Sequence, residues 1–173
     1  GDISSAAFFF VGAAIVPNSS IIVKNININK TRTGIIDVML KMGANIEILN
    51  KDIVCNEEVA DIKIFYSEDM KGITIDGEII PRLIDELPII AILASQAEGV
   101  TIVKDAGDLR NKESDRIQAV VREFSKLGIN IEEKDDGFII YGKTKLTGNA
   151  VIDTYHDHRL AMSAYIAGLI CEN

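Results

Sequence analysis

An internal repeat constrains the fold of this chain more than any other feature of its sequence. The segment Lys41-Met42-Gly43-Ala44-Asn45-Ile46-Glu47 returns 85 positions later as Lys126-Leu127-Gly128-Ile129-Asn130-Ile131-Glu132, and the strand-like residues 21–25 return 80 positions later as 101–105. Similarity at a nearly fixed interval indicates a fold made of repeated units. A helix, a strand, a second helix and a strand hairpin follow one another and then start again, which predicts βαβ-rich α/β units.

Two kinds of helix alternate in this pattern. The predicted helices over 4–16, 81–97 and 158–170 are of the first kind. Their stretches 4–16, 89–97 and 160–170 are apolar nearly all round, as is typical of helices that are buried on every side. Those over 31–42 and 113–127 have a single apolar stripe and should cover the outside. Buried helices with sheets outside them would invert the usual α/β barrel.

Local signals fix the expected ends of these helices. Thr31 is the expected N-cap of the helix over 31–42. Gly43 and Gly128 stand just after two helices, where a left-handed residue is common. Pro81 fits a first helical turn, and Pro88 either kinks that helix or marks its true first turn.

Composition excludes some classes of function. The net charge of −8 argues against a nucleic-acid partner, because such proteins need a basic surface. Cys55 and Cys171 belong to no metal or disulfide pattern, so we expect small apolar roles for them and a reducing, cytoplasmic location. The longest apolar run, 6–16, is too short to span a membrane. The chain begins at Gly1 without Met, and we expect it to be part of something longer.

The densest charged cluster lies in one short run, Asp108-Leu109-Arg110-Asn111-Lys112-Glu113-Ser114-Asp115-Arg116. Three cations at a predicted helix start suit a phosphate or carboxylate, because free N–H groups and the helix dipole favour an anion there. Glu113 and Arg116 are three positions apart and would share a helix face. The alternative is a solvated helix start with one ordinary ion pair, worth about 0–1 kcal/mol. The density of charge favours the anion site.

Two further helix starts carry candidate groups. His158 and Arg159 open an apolar helix, where a cation is unfavourable unless an anion binds beside it. His156 and His158 could ligate a metal, but no third ligand at a familiar spacing accompanies them, and no metal site is expected. Asp85 is either a plain helix cap or a carboxylate base directed into a cleft.

These motifs together resemble a known family. The residues that carry the resemblance are Gly1-Asp2-Ile3-Ser4-Ser5-Ala6-Ala7-Phe8, Ile84-Asp85-Glu86-Leu87-Pro88, Leu109-Arg110-Asn111-Lys112-Glu113-Ser114-Asp115-Arg116 and Asp157-His158-Arg159-Leu160-Ala161-Met162. They resemble the EPSP synthases (3-phosphoshikimate 1-carboxyvinyltransferases), in the order in which that family has them. The resemblance to the related UDP-N-acetylglucosamine enolpyruvyl transferases is weaker.

The resemblance implies an inverse α/β barrel built from repeated βαβαββ units, with buried helices inside and sheets outside. The whole chain, 1–173, would be one incomplete domain of a two-domain protein, with units at roughly 1–78, 79–148 and 149–173. The other domain would be absent from this chain. The full-length protein is expected to be a monomer.

The resemblance also implies a reaction and its site residues. Phosphoenolpyruvate would be joined to the 5-hydroxyl of shikimate 3-phosphate, with no metal or organic cofactor. Asp85 would take the place of the base, and Glu113 would handle the proton at the methylene carbon. Lys112 would contact shikimate 3-phosphate and share in proton transfer. Arg116 and Arg159 would bind phosphoenolpyruvate, with the catalytic His158 beside them. Asp108 is a further expected substrate-binding residue. A non-catalytic anion-binding module of the same fold is the alternative, and this chain alone is expected to be inactive.

Overall fold

The elements of the fold repeat along the chain as the sequence predicts. A computed structural model describes residues 1–172, and within them it has five α-helices and seven strands. Their bounds are α1 Ile3–Ile15, β1 Ser20–Asn27, α2 Gly34–Lys41, β2 Asn45–Val54, β3 Glu57–Phe65, β4 Thr74–Ile75, α3 Leu87–Ser95, β5 Gly99–Val103, α4 Arg116–Ser125, β6 Asn130–Lys134, β7 Gly137–Gly142 and α5 His158–Gly168. Short 3-10 helices cover Gly77–Arg82, Ile84–Glu86 and Gly107–Asn111.

Two sheets share one topology. The first has the strand order β1-β3-β2, and the second has the order β4-β5-β7-β6. In both, the last strand of the unit lies between the other two and is antiparallel to each of them. The short strand β4 is added to the second sheet, parallel to β5. The sequence repeat is therefore also a repeat of strand pairing.

The apolar helices form the inside of the molecule. Every residue of α3 is buried, and α1 exposes only Ser5 and Phe9. Helices α1, α3 and α5 contact one another, and α1 and α3 also contact strands of the two sheets. The predicted burial is wrong for α5, in which Met162 and Tyr165 are exposed, as is Leu169 directly after the helix. Only one side of α5, the side that carries Leu160, packs against other helices within the described residues.

The local predictions were partly right. Gly43 and Gly128 have φ values of 92° and 86°, so both have the predicted left-handed conformation. Pro88 stands in the first turn of α3, which confirms the second of its two interpretations, whereas Pro81 lies in a separate 3-10 helix. Thr31 is not an N-cap, because α2 begins three residues later and Thr31 instead binds the side chain of Asn29.

Two more expectations concern the surface. Cys55 is exposed in the turn between β2 and β3 with a φ of 53°, so the expectation that it packs as an apolar residue is wrong. In the described part of the chain, no helix has the length and apolar character that crossing a membrane requires.

Candidate active site

Arg116 is the centre of the candidate site. It is the first residue of α4, and only 1% of its side chain is exposed. Its guanidinium donates from Nε to Asp157 Oδ2 at 2.6 Å, from Nη1 to Asp85 Oδ1 at 3.0 Å and from Nη2 to Glu113 Oε2 at 2.6 Å. Burial acts to lower the pKa of Arg116, but the hydrogen bond with Asp157 and the nearby carboxylates outweigh it, and the pKa is raised. Arg116 therefore stays charged.

Asp157 joins α4 to α5. None of its side chain is exposed, and its two oxygens accept both from Arg116 and, at 2.9 Å, from the backbone N–H of Arg159. Asp157 is thus the N-cap of α5 as well as the partner of Arg116. Burial alone would raise the pKa of Asp157, but the hydrogen bond from Arg116 and its positive charge outweigh burial, so the pKa lies below the usual value. No role was predicted for Asp157, although an Asp directly before a helix start is a recognisable capping signal.

Asp85 faces the cations of the site. It lies in the 3-10 helix Ile84–Glu86, directly before α3, whose N-cap position is taken by Glu86. The interpretation of Asp85 as the cap of an α-helix is therefore wrong. Its carboxylate is 3.2 Å from Lys112 Nζ, 3.0 Å from Arg116 Nη1 and 3.9 Å from Arg159 Nη2. Burial works to raise the pKa of Asp85, but the bond from Lys112 and these positive charges outweigh it and lower the pKa. Asp85 is therefore ionised at neutral pH and can accept a proton.

Glu86 is a second buried acid that the sequence did not single out. It is 3% exposed, and its Oε1 has no hydrogen-bond partner within residues 1–172. The nearest cation is Arg159, whose Nη1 is 3.9 Å away. Burial raises the pKa of Glu86, because the ionised form loses more hydration than the neutral form.

Lys112 and Glu113 precede the helix that was predicted to contain Glu113. Helix α4 begins at Arg116, and the side chain of Asp115 caps it by accepting from the N–H of Gln118 at 3.0 Å. The predicted helix start at 113 is therefore wrong, and the end of α4 is already occupied by a carboxylate. Glu113 still reaches Arg116, and 52% of its side chain is exposed.

Three charged residues of the motifs lie outside this cluster. Arg110 donates to Asp115, to Glu133 and to two backbone carbonyls of the β6–β7 hairpin, so the expectation that it belongs to the anion site is wrong. Asp108 and His158 are exposed. Within the described residues, neither of them has a hydrogen bond or ion pair with the cluster.

The cluster has the groups that an anion and a proton transfer require. Three cations, Lys112, Arg116 and Arg159, lie among the carboxylates of Asp85, Glu86, Glu113 and Asp157. The guanidinium of Arg159 is 16% exposed and stands 3.9 Å from its two acidic neighbours, beyond hydrogen-bond distance. Its N–H groups can therefore donate to a bound anion. The carboxylates of Asp85 and Glu113 are partly exposed, with 34% and 52% of their side chains accessible.

Comparison with known proteins identifies the family of the chain. The family model described as EPSP synthase (3-phosphoshikimate 1-carboxyvinyltransferase) matches residues 1–173. The chain belongs to the EPSP synthase family. It is 54% identical over 173 residues to the 3-phosphoshikimate 1-carboxyvinyltransferase of Petrotoga mobilis, and 56% identical over 170 residues to that of Bacillus pumilus. The two matches cover 100% and 98% of this chain but only 40% of each relative.

Solved structures agree with this family. An EPSP synthase from Acinetobacter baumannii superposes with a TM-score of 0.95 at 42% identity, over 99% of this chain and 40% of that one. The enolpyruvyl transferase NikO from Streptomyces tendae, at 13% identity and a TM-score of 0.66 over 98% of this chain and 36% of that one, shares the fold alone. The prediction of an inverse α/β barrel built from repeated βαβαββ units is confirmed. The EPSP synthase resemblance also holds over the resemblance to the UDP-N-acetylglucosamine enzymes.

Proposed function

We propose that the protein containing this chain transfers the enolpyruvyl group of phosphoenolpyruvate to the 5-hydroxyl of shikimate 3-phosphate. The products are 5-enolpyruvylshikimate 3-phosphate and phosphate, a step of aromatic amino acid biosynthesis by the shikimate pathway. The observation that carries the proposal is the buried Arg116, surrounded by Asp85, Glu113 and Asp157 beside the accessible Arg159. The relatives' name, 3-phosphoshikimate 1-carboxyvinyltransferase, supports the choice of substrates.

Asp85 and Glu113, the two partly exposed carboxylates, carry out different proton transfers in this proposal. Asp85, which is ionised because its pKa is lowered, takes the proton of the 5-hydroxyl as that oxygen attacks C2 of phosphoenolpyruvate. Glu113, in its protonated form, gives a proton to the methylene carbon, and a tetrahedral adduct results. The bond from C2 to the phosphate oxygen then breaks, and the leaving phosphate takes the proton held by Asp85. The Glu113 carboxylate takes a proton from the methyl group, so the enol ether forms and both side chains return to their starting states. Lys112, beside Asp85, contacts the phosphate of shikimate 3-phosphate.

The two arginines have different parts in this proposal. Arg159 has N–H groups that are not committed to a hydrogen bond with the acids beside it, so it binds the anion of phosphoenolpyruvate directly. Arg116 is already bonded to three carboxylates. It can bind the same anion once Glu113 releases Nη2 or Asp85 releases Nη1, while Asp157 continues to hold Nε. His158 and Asp108, which are exposed, stay predictions as further residues that contact the substrates.

The remaining parts of the proposal concern the whole protein. Because the chain spans about 40% of the length of its relatives, we infer that further substrate contacts come from a second domain. The units at 1–78, 79–148 and 149–173, the monomeric state, the cytoplasmic location and the lack of a cofactor stay predictions.

A chimera tests the proposed function. Residues 1–173 would replace the matching 40% of the Petrotoga mobilis enzyme, and phosphate release would be measured with both substrates, with each alone, and with the isolated chain. We expect turnover only for the chimera and only with both substrates. A folded chimera that binds phosphoenolpyruvate but releases no phosphate would contradict the proposal and favour the anion-binding module.

A further inference from the structure

Glu123 is a buried acid that the proposed reaction does not use. It lies on α4 seven residues after Arg116, so the two side chains project from the same face of the helix. None of the Glu123 side chain is exposed. Arg116 and Glu123 are therefore two charged groups, about 10 Å apart along the helix axis, that face the chain before α5.

The Glu123 carboxylate binds the residues that lead into α5. Its Oε2 accepts from the backbone N–H of Asp153 at 2.8 Å, and its Oε1 accepts from the hydroxyl of Tyr155 at 3.0 Å. Lys126, one turn further along α4, forms an ion pair with the same carboxylate. Burial acts to raise the pKa of Glu123, but these three donors outweigh it and lower the pKa, so the group is ionised. Both oxygens of the carboxylate are thus bonded, to Lys126 on the same helix and to Asp153 and Tyr155 in the segment before α5.

That segment has an unfavourable backbone conformation. Tyr155 and His156 have φ values of 50° and 58°, and the N–H of Asp157 closes the turn by donating to Thr154 O at 2.8 Å. Two successive positive φ values are found in type I′ turns, where Asn and Gly are the usual residues. Side chains with a Cβ, such as these two, occupy this region only where surrounding contacts impose it.

The turn ends at the residue that organises the candidate site. Asp157 follows directly, binds Arg116 through both oxygens and caps α5, which begins with His158 and Arg159. Glu123 holds one end of residues 153–157, and Arg116 holds the other. The strained turn has to remain closed for Asp157 to satisfy both Arg116 and the N–H of Arg159.

We infer that Glu123, acting through Tyr155 and the N–H of Asp153, is a positioning residue that fixes Asp157 and Arg159 in the candidate site. It touches no substrate in this arrangement. The functional part of the inference rests on the proposed function, whereas the structural part does not.

The chain offers a matched pair of variants. Tyr155→Phe removes one hydroxyl that donates to a glutamate at 3.0 Å next to the site, and Tyr141→Phe removes one that donates to Glu132 at 3.1 Å on the outer sheet. Glu123→Gln is the stronger change. Hydrogen exchange in the 173-residue chain would be followed at the N–H groups of Asp153 and Arg159, with the amides of α3 as a reference for global stability.

We expect Tyr155→Phe to speed exchange at both N–H groups roughly 10-fold relative to the α3 amides, because one bond to a charged acceptor is lost. Glu123→Gln should speed it further, and Tyr141→Phe should leave it unchanged. Exchange that rises equally at α3 would indicate a purely structural role and overturn the inference. Unchanged exchange in both Tyr155→Phe and Glu123→Gln would overturn it as well.

The chimera supplies the functional measurement. Tyr155→Phe and Glu123→Gln should raise KM for phosphoenolpyruvate about 10-fold with a smaller change in kcat, because Arg159, which these variants displace, binds the anion of phosphoenolpyruvate. A loss of active enzyme at unchanged KM would contradict the positioning role. An unmodified chimera without turnover would refute the proposed function, while the exchange measurements would still decide whether Glu123 fixes the turn.

Discussion

Replacing Asp157 by Asn should destabilise the protein by about 2–3 kcal/mol at pH 7. The side chain is fully buried and accepts from Arg116 at 2.6 and 3.3 Å, from Ser114 Oγ at 3.3 Å and from Arg159 N at 2.9 Å. A hydrogen bond to a charged group contributes about 1.5–3 kcal/mol. Asn preserves the helix cap, and Arg116 keeps its other carboxylates. The loss should therefore stay below the roughly 3–5 kcal/mol seen when a buried charge loses its only partner.

Asp115→Asn is the matched control for this prediction. Asp115 also caps a helix and also pairs with an arginine, Arg110, at 2.9 Å, but 34% of its side chain is exposed. Its replacement should cost less than about 1 kcal/mol. Guanidinium chloride unfolding of the 173-residue chain would measure both variants. Equal losses for the two variants would refute the argument that burial and the Arg116 bonds make Asp157 special.

The ion pair between Asp157 and Arg116 makes the stability of the protein depend on pH in a definite direction. The folded-state pKa of Asp157 is lowered from its ordinary value of 3.8. Its contribution to stability is therefore fully present above pH 3.8 and is lost as the pH falls through the folded-state pKa. The difference in free energy of unfolding between wild type and Asp157→Asn should narrow below pH 3.8, and a difference that stays constant to the lowest pH at which the fold persists would contradict the ion pair.

Three further predictions follow from single residues. Because the pKa of Glu86 is raised, the stability of the protein falls as the pH rises from the ordinary pKa of 4.5 through the folded-state pKa. In unfolding experiments, Glu86→Gln should therefore be more stable than wild type by about 1 kcal/mol at pH 7 and indistinguishable from it below pH 4.5. A variant that is destabilised at pH 7 would contradict this. A Cβ at Gly137 would collide with a backbone carbonyl of β5, so Gly137→Ala should lower the free energy of unfolding by at least about 3 kcal/mol. The position of a Cβ at Gly168 is open space, so Gly168→Ala should raise it by about 0.5–1 kcal/mol. Similar melting temperatures for the two variants would refute the register of the sheet. Arg159→Ala should weaken phosphoenolpyruvate binding at least 10-fold in a titration of the chimera, and Arg110→Ala should not; the reverse order would move the anion site to Arg110.

The sequence predicted the parts of the fold that depend on local periodicity. The unbroken apolar run of α3 and the recurring helix ends at Gly43 and Gly128 were sufficient to foresee buried helices and repeated units. The burial of α5 was overestimated, because composition does not show that only one side of that helix has neighbours in the described residues. The start of α4 was misplaced because Asp115, rather than an earlier residue, supplies the cap.

The candidate site was predicted as a set of motifs but not as an arrangement. Asp85, Lys112, Glu113, Arg116 and Arg159 do come together. The central role of Asp157 was missed because its partner Arg116 lies 41 positions away in the sequence. The roles of Glu86, Glu123 and Arg110 were beyond prediction for the same reason, since each depends on contacts between elements that only the folded chain brings together.

The most direct test of the account is the rate of phosphate release by the chimera with Glu113→Gln, compared with Glu133→Gln. Both changes remove one negative charge, but Glu133 pairs with Arg110 outside the cluster, whereas Glu113 contacts Arg116 within it. The account predicts that Glu113→Gln lowers kcat by about 10²-fold or more with a much smaller effect on KM for phosphoenolpyruvate, and that Glu133→Gln leaves both unchanged. Equal kcat values for the two variants would contradict the claim that this cluster carries the chemistry.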